Sequence, residues 1–100
     1  MTKIYFERTG GFMGRKVSIT INMDDLPDEQ AELLDDLMDE ADFFELPADL
    51  TRPAMPDAFT YNITISSEVR QHSVRVSDTT APDDLRPLLE ELSRQARMQR

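Results

Sequence analysis

The chain contains no cysteine, so neither a disulfide staple nor a thiolate metal site is available to it, and its fold must stand on packing alone. Histidine occurs once, at His72. There is no Gly-x-Ser-x-Gly, no His-Glu-x-x-His and no phosphate-cradling glycine motif. The positioned groups that catalysis requires are missing, and the chain reads as a non-enzyme that needs no cofactor and holds no metal. Long apolar runs are absent as well. The N-terminus, Met1-Thr2-Lys3-Ile4-Tyr5-Phe6-Glu7, meets an acid within its first few residues. That predicts neither a signal peptide nor a membrane span, hence a cytoplasmic protein that does not engage a membrane.

Basic residues are scarce: 11 Lys and Arg against 20 Asp and Glu give a net charge of -9. Twelve of the acids fall between Asp24 and Asp49, a stretch without a single Lys or Arg. Such a face repels DNA and RNA, which excludes nucleic acid as a partner. Calcium is no better served, because an EF-hand loop needs a central glycine and alternating acids, and Asp24 to Asp36 supply neither. A solvated face that maintains solubility is the plain reading. The pairs Asp28/Glu32, Glu32/Asp36, Asp35/Asp39 and Asp36/Glu40 nevertheless place like charges at i, i+4, each at a cost of a few tenths of a kcal/mol. A local rule broken that often points to steering toward a basic partner.

What is present fits one domain spanning residues 1–100, since 39% hydrophobic residues fill one core and not two. Ile4 and Phe6 alternate with Lys3, Tyr5 and Glu7, and Val17, Ile19 and Ile21 alternate with Ser18 and Thr20. These are two strands of a hairpin. Asp24-Asp25-Leu26-Pro27-Asp28 predicts a helix start, with Asp accepting free backbone N–H groups, and the helix runs to about Asp42. Its buried stripe is Leu33, Leu34, Leu37, Met38, Ala41 and then Phe44. Pro47, Pro53 and Pro56 break regular structure from Leu46 to Asp57. A second hairpin follows from Phe59, Tyr61, Ile63 and Ile65 and from His72, Val74 and Val76, in which His72 is a strand residue without a functional role. Leu85, Leu88, Leu89, Leu92 and Ala96 form a second helical stripe. Asp83 or Asp84 caps that helix, Pro87 sits in its first turn, and residues 97–100 form a frayed tail. The order ββαββα predicts an α+β open-faced sandwich, a four-stranded, mainly antiparallel sheet with two helices on one face.

If each element carries the chain from one end of the domain to the other, directions can be counted. The first hairpin tip, the 47–58 connection and the Asp78-Thr79-Thr80 turn then share one end, the natural place for a binding surface. All three glycines lie in that tip, Thr9-Gly10-Gly11-Phe12-Met13-Gly14. A nucleotide-binding reading fails there, because the last glycine is not followed by the Lys and helix N-terminus that hold phosphate, but by Arg15 and a strand. Phe12 and Met13 are large, apolar and outside the strand period, which makes them anchors for a pocket in a partner. Leu50 and Met55 add apolar contact from the proline-rich connection.

At these residues the chain resembles the emfourin family, protein inhibitors of protealysin, a bacterial thermolysin-like zinc metalloprotease. The resemblance is carried by Phe6-Glu7-Arg8-Thr9-Gly10-Gly11-Phe12-Met13-Gly14, Asp42-Phe43-Phe44-Glu45-Leu46-Pro47, Asp57, Tyr61-Asn62-Ile63-Thr64-Ile65 and His72-Ser73-Val74-Arg75-Val76. Ala81-Pro82 and Leu85-Arg86-Pro87-Leu88-Leu89 complete it. It implies a cytoplasmic bacterial inhibitor, a monomer when free, whose partner is a thermolysin-like zinc metalloprotease. The expected contacts are Thr9, Gly10, Gly11, Phe12, Met13 and Gly14, with Leu50, Met55 and Asp57 as a secondary set. The competing reading is an acidic interaction module unrelated to proteolysis.

Overall fold

The computed structural model describes residues 2–10, 16–52 and 58–98. Strands β1 (Lys3–Gly10) and β2 (Val17–Asn22) form the first hairpin, and β4 (Phe59–Ser66) and β5 (Gln71–Ser77) the second. Helices α1 (Asp28–Glu40) and α2 (Arg86–Met98) follow the respective hairpins. The expected alternation holds. Ile21, Ile4 and Ile65 form one row across the strands and Ile19, Phe6, Ile63 and Val74 the next, all of them buried. The intervening rows carry Thr20, Tyr5, Thr64 and Ser73, and then Ser18, Glu7, Asn62 and Arg75, on the open face.

Among the described residues the sheet has five strands rather than four, in the order β2-β1-β4-β5-β3. The additional strand, β3 (Asp49–Leu50), pairs parallel to β5 through Asp49↔Arg75 and Leu50↔Val76, so the sheet is mixed. Two residues have no period to read, and their neighbours Pro47 and Pro53 argue against a strand. The pairing is a long-range one that only the assembled sheet can offer.

Helix α1 departs from expectation at both ends. Asp24 does not cap it: Met23–Asp25 is a turn of 3-10 helix capped by Asn22, whose side chain accepts from the Asp24 N–H at 3.1 Å. The helix proper begins after Pro27 without a side-chain cap. At the other end Asp42 adopts φ 50°, the left-handed conformation that stops a helix. That break resets the helical count, so Phe43 is buried at 1% exposure while Phe44 is only half-buried beneath the Arg70 guanidinium. Leu33, assigned to the buried stripe, is 42% exposed.

The second helix matches its stripe, with Leu85, Leu88, Leu89, Leu92 and Ala96 all buried. Pro87 lies in the first turn, where its missing N–H costs nothing. Backbone hydrogen bonds hold the lead-in: Leu85 N–H donates to Pro82 O and Arg86 N–H to Asp83 O. Arg97 and Met98, expected in a frayed tail, are helical.

Both ends of α1 lie at the Lys3 end of the strands. Met23 N–H, just before the helix, donates to Thr2 O. Just after it, Phe43 packs edge-on against His72, and His72 Nε2–H donates to Leu46 O at 2.7 Å. His72 pairs with Ile65, and Ile65 with Ile4. The helix therefore crosses the strands from the β2 side to the β5 side. Its 13 residues span about 20 Å, enough to cover four strands spaced about 4.8 Å apart.

Candidate functional site

The counted directions assume that α1 returns along the strands, which it does not, and the 47–58 connection consequently begins at the opposite end from Gly10. The return leg is β3, which runs beside β5 toward Ser77. Chain direction is thereby recovered. Gly10 faces Phe59, Thr9 faces Thr60, and Thr60 faces Ser77. Thr9 and Gly10, the close of the connection at Ala58, and the Asp78–Thr80 turn share one end of the sheet.

Gly10 is required there for a reason internal to the fold. Its φ is 96°, and a Cβ would stand 2.9 Å from the carbonyl oxygen of Ala58. Asp78 N–H donates to Phe59 O at 3.1 Å, which pins the turn after β5 to the first residue of β4. The turn is closed by hydroxyls: Thr80 Oγ1 accepts from Ser77 N–H and lies 2.7 Å from Ser77 Oγ. Ser77 is 4% exposed, and these contacts satisfy its hydroxyl inside the fold.

Of the expected contacts, Gly11, Phe12, Met13, Gly14, Met55 and Asp57 lie outside the described residues, as do Pro53 and Pro56. Leu50 is half-buried against the core beside Val76. It is held by the domain itself and stands one strand beyond β5.

Two further groups mark this end, and the sequence reading missed both. Arg8 occupies the helix-facing row Val17–Arg8–Tyr61–Val76. An apolar residue would be expected there, and the Arg8 guanidinium lies 4.9 Å from the Phe59 ring centre. The alternation itself carried that signal, since Arg8 falls two residues beyond Phe6 on the same face. Tyr61 stacks on Phe6 at 5.8 Å. Burial raises its hydroxyl above the ordinary tyrosine value, Asp78 raises it further, and Arg8 and Arg86 pull it down.

The open face holds a separate polar network. Tyr5 Oη–H donates to Glu7 Oε2 at 2.7 Å, Lys16 Nζ lies 3.3 Å from the same oxygen, and Asn62 Nδ2 donates to Oε1 at 3.5 Å. The tyrosine hydroxyl first, and Lys16 and Asn62 after it, hold the Glu7 carboxyl below its ordinary value. Among the described residues no group of three or more His, Asp and Glu side chains is arranged to hold a metal ion. No helix among them is long and apolar enough to cross a membrane.

The sequence profile of the emfourin family matches residues 6–93 of the chain. The chain belongs to the emfourin family. Emfourins are inhibitors and not enzymes. A solved structure, that of emfourin from Serratia proteamaculans, an M4 family peptidase inhibitor, is similar with 23% sequence identity. The similarity covers 87% of this chain and 84% of that one, at a TM-score of 0.48. No match was found among curated proteins.

Proposed function

We propose that this emfourin inhibits a bacterial thermolysin-like zinc metalloprotease of the protealysin type by steric blockade, acting in the cytoplasm as a monomer. In this reading the end bearing Gly10 enters the protease cleft, Phe12 or Met13 fills an apolar specificity pocket, and the zinc belongs to the protease. The supporting observation is the common end reached by Thr9–Gly10, Ala58 and the Asp78–Thr80 turn. These segments meet at one end of the paired strands, which is how a loop surface is held ready for a concave partner.

The test is peptide cleavage by a thermolysin-like protease titrated with the purified protein. Cleavage should stop near one equivalent, and Phe12→Ala with Met13→Ala should weaken inhibition by about 2 kcal/mol or more while thermal stability stays close to that of the parent. Unchanged cleavage across several such enzymes would favour the acidic interaction module instead. A double variant that inhibits normally would overturn the assignment of the anchors.

A further inference from the structure

We propose that the groove flanking α2 binds an extended peptide segment in which a large apolar side chain is bracketed by carboxylates. The groove has a volume of about 730 Å³, the size of a small-ligand or short-peptide site. Its apolar surface comes from Leu33 and Leu37 of α1, Leu89 of α2 and Tyr61 of β4. Leu33 is 42% exposed on a helix whose other large apolar residues turn inward.

Charge names the occupant. The whole chain carries 11 bases against 20 acids, yet this groove is lined by Arg8, Arg86, Arg94 and Arg97 against Asp78, Glu90 and Glu91. Glu91 is already engaged by Arg94, whose Nη2 and Nε donate to its two oxygens at 2.6 and 3.0 Å. Arg86 has a single long contact, 3.7 Å to a fully exposed Asp83. Among the described residues, Arg8 and Arg97 have no carboxylate within ion-pair distance. Guanidinium groups with no close carboxylate among the described residues, set beside an apolar wall, match carboxylates flanking an apolar side chain.

Asp78 supplies the remaining feature. Its Oδ1 is buried and, among the described residues, has no hydrogen-bond partner, and a buried acceptor calls for a donor. A peptide that shifts the Asp78–Thr80 turn brings a backbone N–H to that enclosed oxygen while its carboxylates reach the arginines, whereas a phosphodiester polymer offers neither backbone N–H donors nor an aliphatic side chain for the leucines. The net charge of -9 is no barrier at this range, because salt at physiological strength screens charges beyond about 8 Å.

The experiment is an NMR titration of the full chain with the peptide Ac-Asp-Leu-Phe-Asp-Glu-NH2. Saturable shifts are expected at Arg8, Tyr61, Asp78, Arg86 and Leu89, with a dissociation constant tighter than about 1 mM. Arg86→Gln with Arg97→Gln, both exposed on α2, should weaken binding roughly tenfold while the remaining spectrum stays folded. A second variant, Leu33→Asn, should weaken it through the apolar wall alone. Absence of saturable shifts would overturn the proposal, as would shifts centred on the open face of the sheet. So would equal binding of the amide analogue Ac-Asn-Leu-Phe-Asn-Gln-NH2 or of a short oligothymidylate. None of these readouts involves a protease, so the groove and the inhibitory reading stand or fall separately.

Discussion

The α-carbon of Gly10 faces the carbonyl of Ala58 so closely that a β-carbon would sit 2.9 Å from the Ala58 oxygen, on a backbone with φ 96°. The glycine thus closes the β1–β4 pairing where the chain arrives from the proline-rich connection. Alanine at this site would be strained by its backbone conformation and by a backbone atom that cannot give way. Gly10→Ala should cost about 1–3 kcal/mol, read as a fall in melting temperature of roughly 4–8 °C per kcal/mol. A melting temperature within 2 °C or so of the parent would mean that β4 yields at Ala58.

The two phenylalanines after α1 should separate cleanly. Phe43 is 1% exposed and packs on His72 and Phe44, whereas Phe44 is half-buried under Arg70. Phe43→Ala should cost about 3–5 kcal/mol by urea unfolding, as for a fully buried aromatic. Phe44→Ala should cost distinctly less. The reverse order would restore the uninterrupted helical stripe that predicts Phe44 in the core.

That pair shows where the sequence was legible and where it was not. Strand alternation is local, so Ile4, Phe6, Ile19, Ile63, Ile65, Val74 and Val76 could be read directly, and so could the stripe of α2. Phe43 could not, because one left-handed residue at Asp42 shifts everything after it and Asp gives only a weak hint of that conformation. The course of α1 across the strands depends on contacts more than 20 residues apart, such as His72 with Leu46. Arg8 was visible as a charged residue in an apolar row, but its groove exists only once α1, α2 and β4 come together.

Acid should act through Glu7. Its carboxyl is held below the ordinary value, chiefly by the Tyr5 hydroxyl. A folded-state value below the unfolded one means that the contribution is full above the unfolded carboxyl, about pH 4.3, and is lost as pH falls through the folded value. Glu7→Gln should therefore be less stable than the parent near neutrality, and the gap should close as both are taken to about pH 2–3. Glu91 and Asp49 are lowered in the same direction in both proteins and do not disturb the comparison. Urea midpoints whose difference does not change with pH would remove Glu7 from the acid response.

Amide exchange with and without a thermolysin-like protease tests the shared end. Docking should slow exchange at Thr9, Gly10, Ala58, Phe59 and the Asp78–Thr80 turn together, because the strand registers hold them as one unit. The Ser67–Arg70 turn lies at the opposite end, and it should be unaffected. Protection confined to that turn would invert the proposed orientation.

The acidic face of α1 makes the sharpest pair of opposed predictions. Asp35, Asp36 and Asp39 are exposed, and among the described residues none has an ion-pair partner. Asp39 lies near the C-terminal end of the helix, where a negative charge opposes the helix dipole. Changing all three to Asn removes like-charge repulsion at about 0.2–0.5 kcal/mol per pair. Asn is no better a helix former than Asp to any useful degree, so thermal stability should rise slightly. If the acids steer the protein toward a basic partner, association should meanwhile slow several-fold at low salt, with dissociation little changed. Added salt should slow the parent toward the rate of the variant. Stopped-flow association rates and thermal melts of the same two proteins decide the matter. A variant that is more stable and associates just as fast at every salt concentration would leave the acids with solubility as their only role.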